Sequence, residues 1–126
     1  MGIRVTGGML RGRIIDSPSG LSVRPTGART REAVFNILQD VSGFSVLDLF
    51  AGSGIMGIEA LSRGASFVVA VENNRKQAIS LRNNYRKLQI ENNLTLWERD
   101  VFSLEFSHEK KTFDLIYADP PFTETY

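Results

Sequence analysis

A chain of 126 residues with no cysteine and a formal net charge of only +1 has room for one small domain and excludes disulfides and thiolate metal sites. Its longest apolar run, Phe67 to Val71, falls far short of the roughly 20 residues a membrane helix needs. With no continuous apolar signal region at the N-terminus, a soluble, cytoplasmic protein is expected, with no membrane and no metal among its partners.

Charge is unevenly spread. Residues 1 to 31 hold six arginines, Arg4, Arg11, Arg13, Arg24, Arg29 and Arg31, against the single acid Asp16, while the remainder is mildly acidic. Such a segment is either a basic arm that meets phosphates or a solvated surface stretch. Within it, Ile3 to Thr6 and Arg11 to Ile15 read as two short strands around Gly7-Gly8, a β-hairpin carrying arginines. From Thr30 a helical pattern follows, with Ala33, Val34, Ile37 and Leu38 on one face and Gly43 after it.

The body then alternates. Val46 to Phe50 reads as a buried strand, Ile55 to Arg63 as a helix stopped by Gly64, and Phe67 to Glu72 as a second strand. Arg75 to Leu88 sets Ala78, Leu81, Tyr85 and Leu88 on one helical face, and strands follow at Leu94 to Trp97 and Phe113 to Tyr117. This order predicts a parallel, Rossmann-like α/β sheet of about four strands. The expected division is a basic hairpin arm over residues 1–22 and a Rossmann-like domain over 23–126.

Between the first body strand and its helix stands "DLFAGSGIMGIEAL", in which Gly52, Gly54 and Gly57 spell G-x-G-x-x-G. Glycines there allow a tight turn, close approach of backbone to a ligand and packing of the helix on the sheet. Glu72 ends the next strand, 20 residues after Gly52, where a carboxylate can accept from both ribose hydroxyls of an adenosine-type ligand. Two cofactor classes share this plan, dinucleotides and S-adenosylmethionine. A helix N-terminus suits a pyrophosphate, whereas Asp48 before the loop suits an ammonium group, which the methyl donor carries and a dinucleotide does not. Asp100 after the third strand can accept from an adenine amino group, with Val101 against the ring, or can cap a helix. The candidate cofactor set is Asp48, Ala51, Gly52, Ser53, Gly54, Glu72, Asn73, Asp100 and Val101.

The final strand runs into Asp119-Pro120-Pro121-Phe122. Two prolines, and the restriction each places on its predecessor, make a stiff turn at the C-terminal edge of the sheet. It can aim the Asp119 carboxylate and the Pro120 carbonyl at the two hydrogens of one conjugated amine. That favours the pyramidal, nucleophilic form, and Asp119 can take the released proton. Phe122 offers a face on which a base can stack.

With "GGMLRGRII", "RPTGARTREAVFNIL", "VLDLFAGSGIMGIEALSRGA", "VVAVENN" and "DLIYADPPF", nearly the whole chain resembles the bacterial methyltransferases of the RsmD family, which place a methyl on N2 of a guanine in 16S ribosomal RNA. The glycine loop and DPPF are shared by many amino-methyltransferases acting on adenine, cytosine, guanine or glutamine; the block around Arg24-Pro25-Thr26 and "REAVFNIL" narrows the match. The resemblance implies that the cofactor set holds S-adenosyl-L-methionine and that Asp119, Pro120, Pro121 and Phe122 hold the target guanine. It also implies that Arg4, Arg11, Arg13, Arg24, Thr26, Arg29 and Arg31 contact 16S rRNA in an assembling small subunit. Gly27-Ala28 departs from the polar pair usual in the family. The other departure is length: the family continues after DPPF with further strands, so a fragment or ordered remainder is expected, with an exposed last strand, weak donor binding and poor methylation.

Readings from other classes are a nicotinamide-binding oxidoreductase, which has no need of an aimed Asp-Pro-Pro turn, and an RNA-binding module without activity. His108 in "SHEKK" reads as a solvated loop residue, and Trp97 and Met56 as core packing.

Overall fold

The computed structural model describes residues 2–18, 25–104 and 112–120; Arg24, His108, Pro121 and Phe122 lie outside them. Strands β1 (Gly2–Arg4) and β2 (Ile14–Asp16) pair antiparallel, with Ile3 opposite Ile15. Then follow α1 (Ala28–Leu38), β3 (Ser45–Asp48), α2 (Ile55–Ser62), β4 (Phe67–Val71), α3 (Arg75–Lys87), β5 (Leu94–Trp97), a short 3-10 turn (Val101–Ser103) and β6 (Leu115–Tyr117). The last four strands form a parallel sheet in the order β5-β4-β3-β6. The Rossmann-like α/β reading therefore holds.

That order positions the site. From β3 the chain passes to β4 on one side, while β6 pairs on the other, so the strand order reverses between the C-terminal ends of β3 and β6. The crevice between them is the switch point at which open parallel sheets bind ligands.

All eight residues of α2 are buried, which explains its composition: the helix lies between sheet and hairpin and has no wet face. A Cβ on Gly57 would lie 2.9 Å from Val68 Cγ1, so its absence lets α2 sit on β4. At the N-cap, Gly54 has φ +80°, and a Cβ there would fall 2.0 Å from Leu81 Cδ2; glycine is required both for the left-handed turn and for the approach of α3.

One face of the sheet, through Val46, Val68 and Ala70, packs on Ile58, Leu61, Leu81 and Tyr85, and the hairpin's Val5, Leu10 and Ile15 join the same cluster. Val5 and Ile15 are completely buried, each stabilising the fold by roughly 1.5–3 kcal/mol. The opposite face buries Leu47, Val69 and Val71.

Three details differ from the sequence expectation. Helix α1 buries Arg31 and Phe35, leaving Ile37 81% exposed, so its inner face is rotated from the Ala33-Val34-Ile37-Leu38 stripe. The cause is Arg31, which the apolar pattern could not count as an inward residue. The hairpin strands are shorter than expected, and Arg11 and Arg13 stand in the connection between them. Finally, β6 is three residues long, at the end of the described sheet, with Ile116 57% exposed.

A polar hub fastens the hairpin to α2. The Glu59 carboxylate, 0% exposed, accepts from Thr6 N (3.0 Å), Thr6 Oγ1 (2.8 Å), Gly7 N (3.0 Å), Arg31 Nε (3.3 Å) and Arg63 Nε (3.3 Å). Arg31 also donates to Arg4 O at 2.6 Å and to Thr26 O, and Arg63 lies 4.9 Å from the centre of the Phe35 ring. One turn on, Ser62 Oγ accepts from Leu10 N at 2.9 Å and donates to Gly7 O at 2.5 Å. Among the described residues, no helix is long and apolar enough to cross a membrane.

Candidate active site

The glycine loop leaves β3 at Asp48 and is held by backbone bonds: Ala51 N donates to Val71 O at 3.0 Å and Gly54 N to Ala51 O at 2.8 Å. Glu72, past the end of β4, takes Gly52 N at 2.7 Å on one oxygen and Asn74 N at 2.9 Å on the other. It thus braces the loop against the next turn, and each oxygen retains a lone pair for a ligand hydroxyl. Asn74 caps α3, accepting from Gln77 N at 3.0 Å. Asp100 caps the 3-10 turn, accepting from Phe102 N at 3.0 Å, and its carboxylate remains exposed.

A cleft of about 430 Å³ opens between these loops, lined by Gly52, Glu72, Asn73, Asp100, Val101 and Asp119, and also by Phe50, Gln77 and Phe102. Beside it is a recess of about 60 Å³ lined by Asp48, Ala51, Gly52, Ser53, Thr26 and Asp119, with Met56 and Tyr117. Of the cofactor set, only Gly54 lines neither space; it shapes the turn from beneath. Pro120 is exposed beside Asp119.

Asp48 is the electrostatic anomaly. It is 1% exposed and neither carboxylate oxygen has a hydrogen-bond partner among the described residues. Burial, followed by the negative charges of Glu72 and Asp119, pushes its pKa from 3.8 to about 7; the neighbouring Gly57 N–H, short of normal hydrogen-bond geometry, pulls more weakly the other way. A buried polar group without a partner is costly. Two carboxylates on one recess, Asp48 and Asp119, with Glu72 on the adjoining cleft, fit a cationic ligand group, and the cradle fits the ammonium-bearing amino acid end of S-adenosylmethionine better than a pyrophosphate.

The basic residues divide. Arg4, Arg11, Arg13 and Arg29 are exposed, while Thr26 is half-buried at the recess. Arg31 is corrected: at 2% exposure and ion-paired with Glu59, it is part of the hub and not of an RNA-facing surface.

Sequence reading passed over Phe50, Phe102, Gln77, Tyr117 and Glu59. Phe102 is 87% exposed at the cleft, its ring 6.3 Å from that of Phe50. Two of these had a visible signal: Glu59 is the one charged residue in an otherwise apolar helix, and Tyr117 is two residues from Asp119. Trp97 packs against the second core face and Met56 joins the main core while lining the recess.

A profile of the family described as conserved hypothetical protein 95 matches residues 3–126. The chain is 37% identical over 122 residues to the ribosomal RNA small subunit methyltransferase D of Escherichia coli, covering 95% of this chain and 60% of that protein. It is 35% identical over 121 residues to the protein of the same name from Buchnera aphidicola, with 95% and 63% covered. The chain therefore spans less than two thirds of the length of these curated relatives. Among solved structures, a hypothetical protein from a Thermus species superposes with a TM-score of 0.82 at 31% identity, over 94% of this chain and 69% of that one. A precorrin-6y C5,15-methyltransferase from Geobacter metallireducens matches at 0.67 and 23% identity, over 82% and 53%, a likeness of fold alone.

Proposed function

This chain belongs to the conserved hypothetical protein 95 family, and on that premise we propose that it uses S-adenosyl-L-methionine to methylate the exocyclic N2 amine of a guanine in small-subunit ribosomal RNA. The observation that carries this reading is the buried Asp48 carboxylate beside the glycine loop, without a hydrogen-bond partner among the described residues and lining one recess with Asp119. The names of the relatives support the reaction class, and the switch-point cleft supports the binding mode.

Bound at the cleft, the donor supplies an electrophilic methyl on sulfonium. Asp48 would neutralise the ammonium end and Glu72 would accept from the ribose hydroxyls while it holds Gly52. Asp100 and Val101 would take the adenine edge and face, with Ala51, Ser53 and Asn73 completing the walls. Asp119 and the Pro120 carbonyl would accept the two hydrogens of the target amine, orient its lone pair toward the methyl and, through Asp119, receive the proton. Phe122 would support the base by stacking, worth about 1–3 kcal/mol in single-strand binders. Positioning supplies most of the remaining acceleration. Arg4, Arg11, Arg13, Arg24 and Arg29 would meet phosphates of an assembling small subunit in the cytoplasm, with neither membrane nor metal involved.

Two measurements test this. Calorimetry should detect S-adenosylmethionine and not NAD; the reverse would remove the methyltransferase reading. Mapping methylated guanines in ribosomal RNA from cells lacking the gene should reveal one lost N2-methyl in the small subunit. A full complement of guanine methylation there would assign the amine to another substrate.

A further inference from the structure

The cleft and the recess share four lining residues, Phe50, Gly52, Gln77 and Asp119. A ligand that reaches from one space into the other passes among them. Two of the four carry polar side chains, and Asp119 has the target amine as its partner in the reading above. Gln77 has none.

Gln77 sits in the first turn of α3, where its backbone N–H donates to the Asn74 cap at 3.0 Å. The residue is only 6% exposed, and its Oε1 is buried without a hydrogen-bond partner among the described residues. Asp48, on the same recess, is in the same condition. A bare buried acceptor is costly, and the helix gains nothing from it, since leucine or methionine has a helix propensity as high as that of glutamine.

The chemistry of the recess says what such an amide can meet. Among its lining residues the charged side chains are Asp48 and Asp119, with no lysine or arginine. The amino acid end of S-adenosylmethionine is a zwitterion, so two acids suit its ammonium and leave its carboxylate facing like charge. A carboxamide serves both groups: its carbonyl accepts from an ammonium N–H, its NH2 donates to a carboxylate, and it adds no third negative charge.

We propose that Gln77 is a donor-binding residue that reads the amino acid end of S-adenosyl-L-methionine where recess and cleft join, Oε1 accepting from the ammonium and the amide nitrogen donating to the carboxylate. This rests on the reading above in which the recess holds that end of the donor.

The test compares the parent with Gln77→Leu and Gln77→Met by calorimetry against two ligands, S-adenosylmethionine and methylthioadenosine, which keeps the adenosine and the sulfur but lacks the amino acid end. Both variants should bind S-adenosylmethionine about tenfold or more weakly, the scale of a hydrogen bond to a charged group, with methylthioadenosine affinity within about twofold of the parent's. Urea unfolding without ligand should place both midpoints at or above the parent's, because the fold loses an unsatisfied acceptor. A glutamine needed for architecture gives the reverse pattern, lower midpoints with both ligands weakened alike. That pattern, or an unchanged Kd for S-adenosylmethionine, overturns the assignment and leaves the donor reading standing. A parent that does not bind S-adenosylmethionine removes the donor reading and this assignment together.

Discussion

Glu59 and Asp48 are both carboxylates with at most 1% of their surface exposed, yet their surroundings are opposite. Five donor atoms converge on Glu59, two of them from guanidinium groups. Asp48 has none among the described residues and faces two further acids. A saturated buried charge spends its interactions on architecture, here the clamp between hairpin, α1 and α2. An unsaturated one at the mouth of a cleft holds its interactions in reserve for a ligand.

The largest expected effect breaks the first of these regions. Glu59→Ala should cost about 3–5 kcal/mol in urea unfolding, because it strands Arg31 and two backbone amides. Hydrogen exchange should accelerate first in β1 and the turn that follows it. Loss confined to α2 would refute the clamp.

Asp48 should behave in the contrary way. Below pH 3.8 its carboxyl is protonated in both folded and unfolded chains; as pH rises toward 7 the unfolded chain loses the proton first. Stability should therefore fall through that window, by at most about 4 kcal/mol, and level off above it. Asp48→Asn should remove this slope and leave the protein at least as stable at neutral pH, while donor affinity drops by about tenfold or more. Parallel pH-stability curves for the two proteins would show that folding does not raise the Asp48 pKa as described.

A third change isolates the clamp from its carboxylate. Gly8 has φ +79°, and a Cβ there would lie 1.9 Å from Ser62 O, so Gly8→Ala should cost about 1–3 kcal/mol with the donor Kd unchanged. The smallest expected effect lies at α1, whose N-cap Gly27 makes no side-chain cap bond and has open space around it. Gly27→Ser should stabilise by a few tenths of a kcal/mol, read as a small rise in the urea midpoint without movement at either acid.

The strands and helices of the body were legible because their apolar runs have the right periods and glycines mark their ends: β5 is Leu94–Trp97, as expected. The glycine loop, Glu72 and Asp119 were legible because their spacing reflects one structural unit. Arg31 was misread, because local charge density does not reveal a partner 28 residues away. Tyr117 had only its nearness to Asp119 as a signal, because the neighbours with which it lines the recess, Thr26 and Asp48 among them, come from other elements and only the folded chain brings them together.

The pairing of β3 with β6 also has a consequence for the order of assembly. It joins segments 69 residues apart, as in the 2.9 Å bond from Ser45 N to Asp114, whereas β3–β4 and β4–β5 close much shorter loops. Closing the longer loop carries the greater entropic cost, so β6 should dock after the other three strands. Asp48 and Asp119 are then brought together only after β3, β4 and β5 have paired, and the recess between them is built by a later, longer-range step.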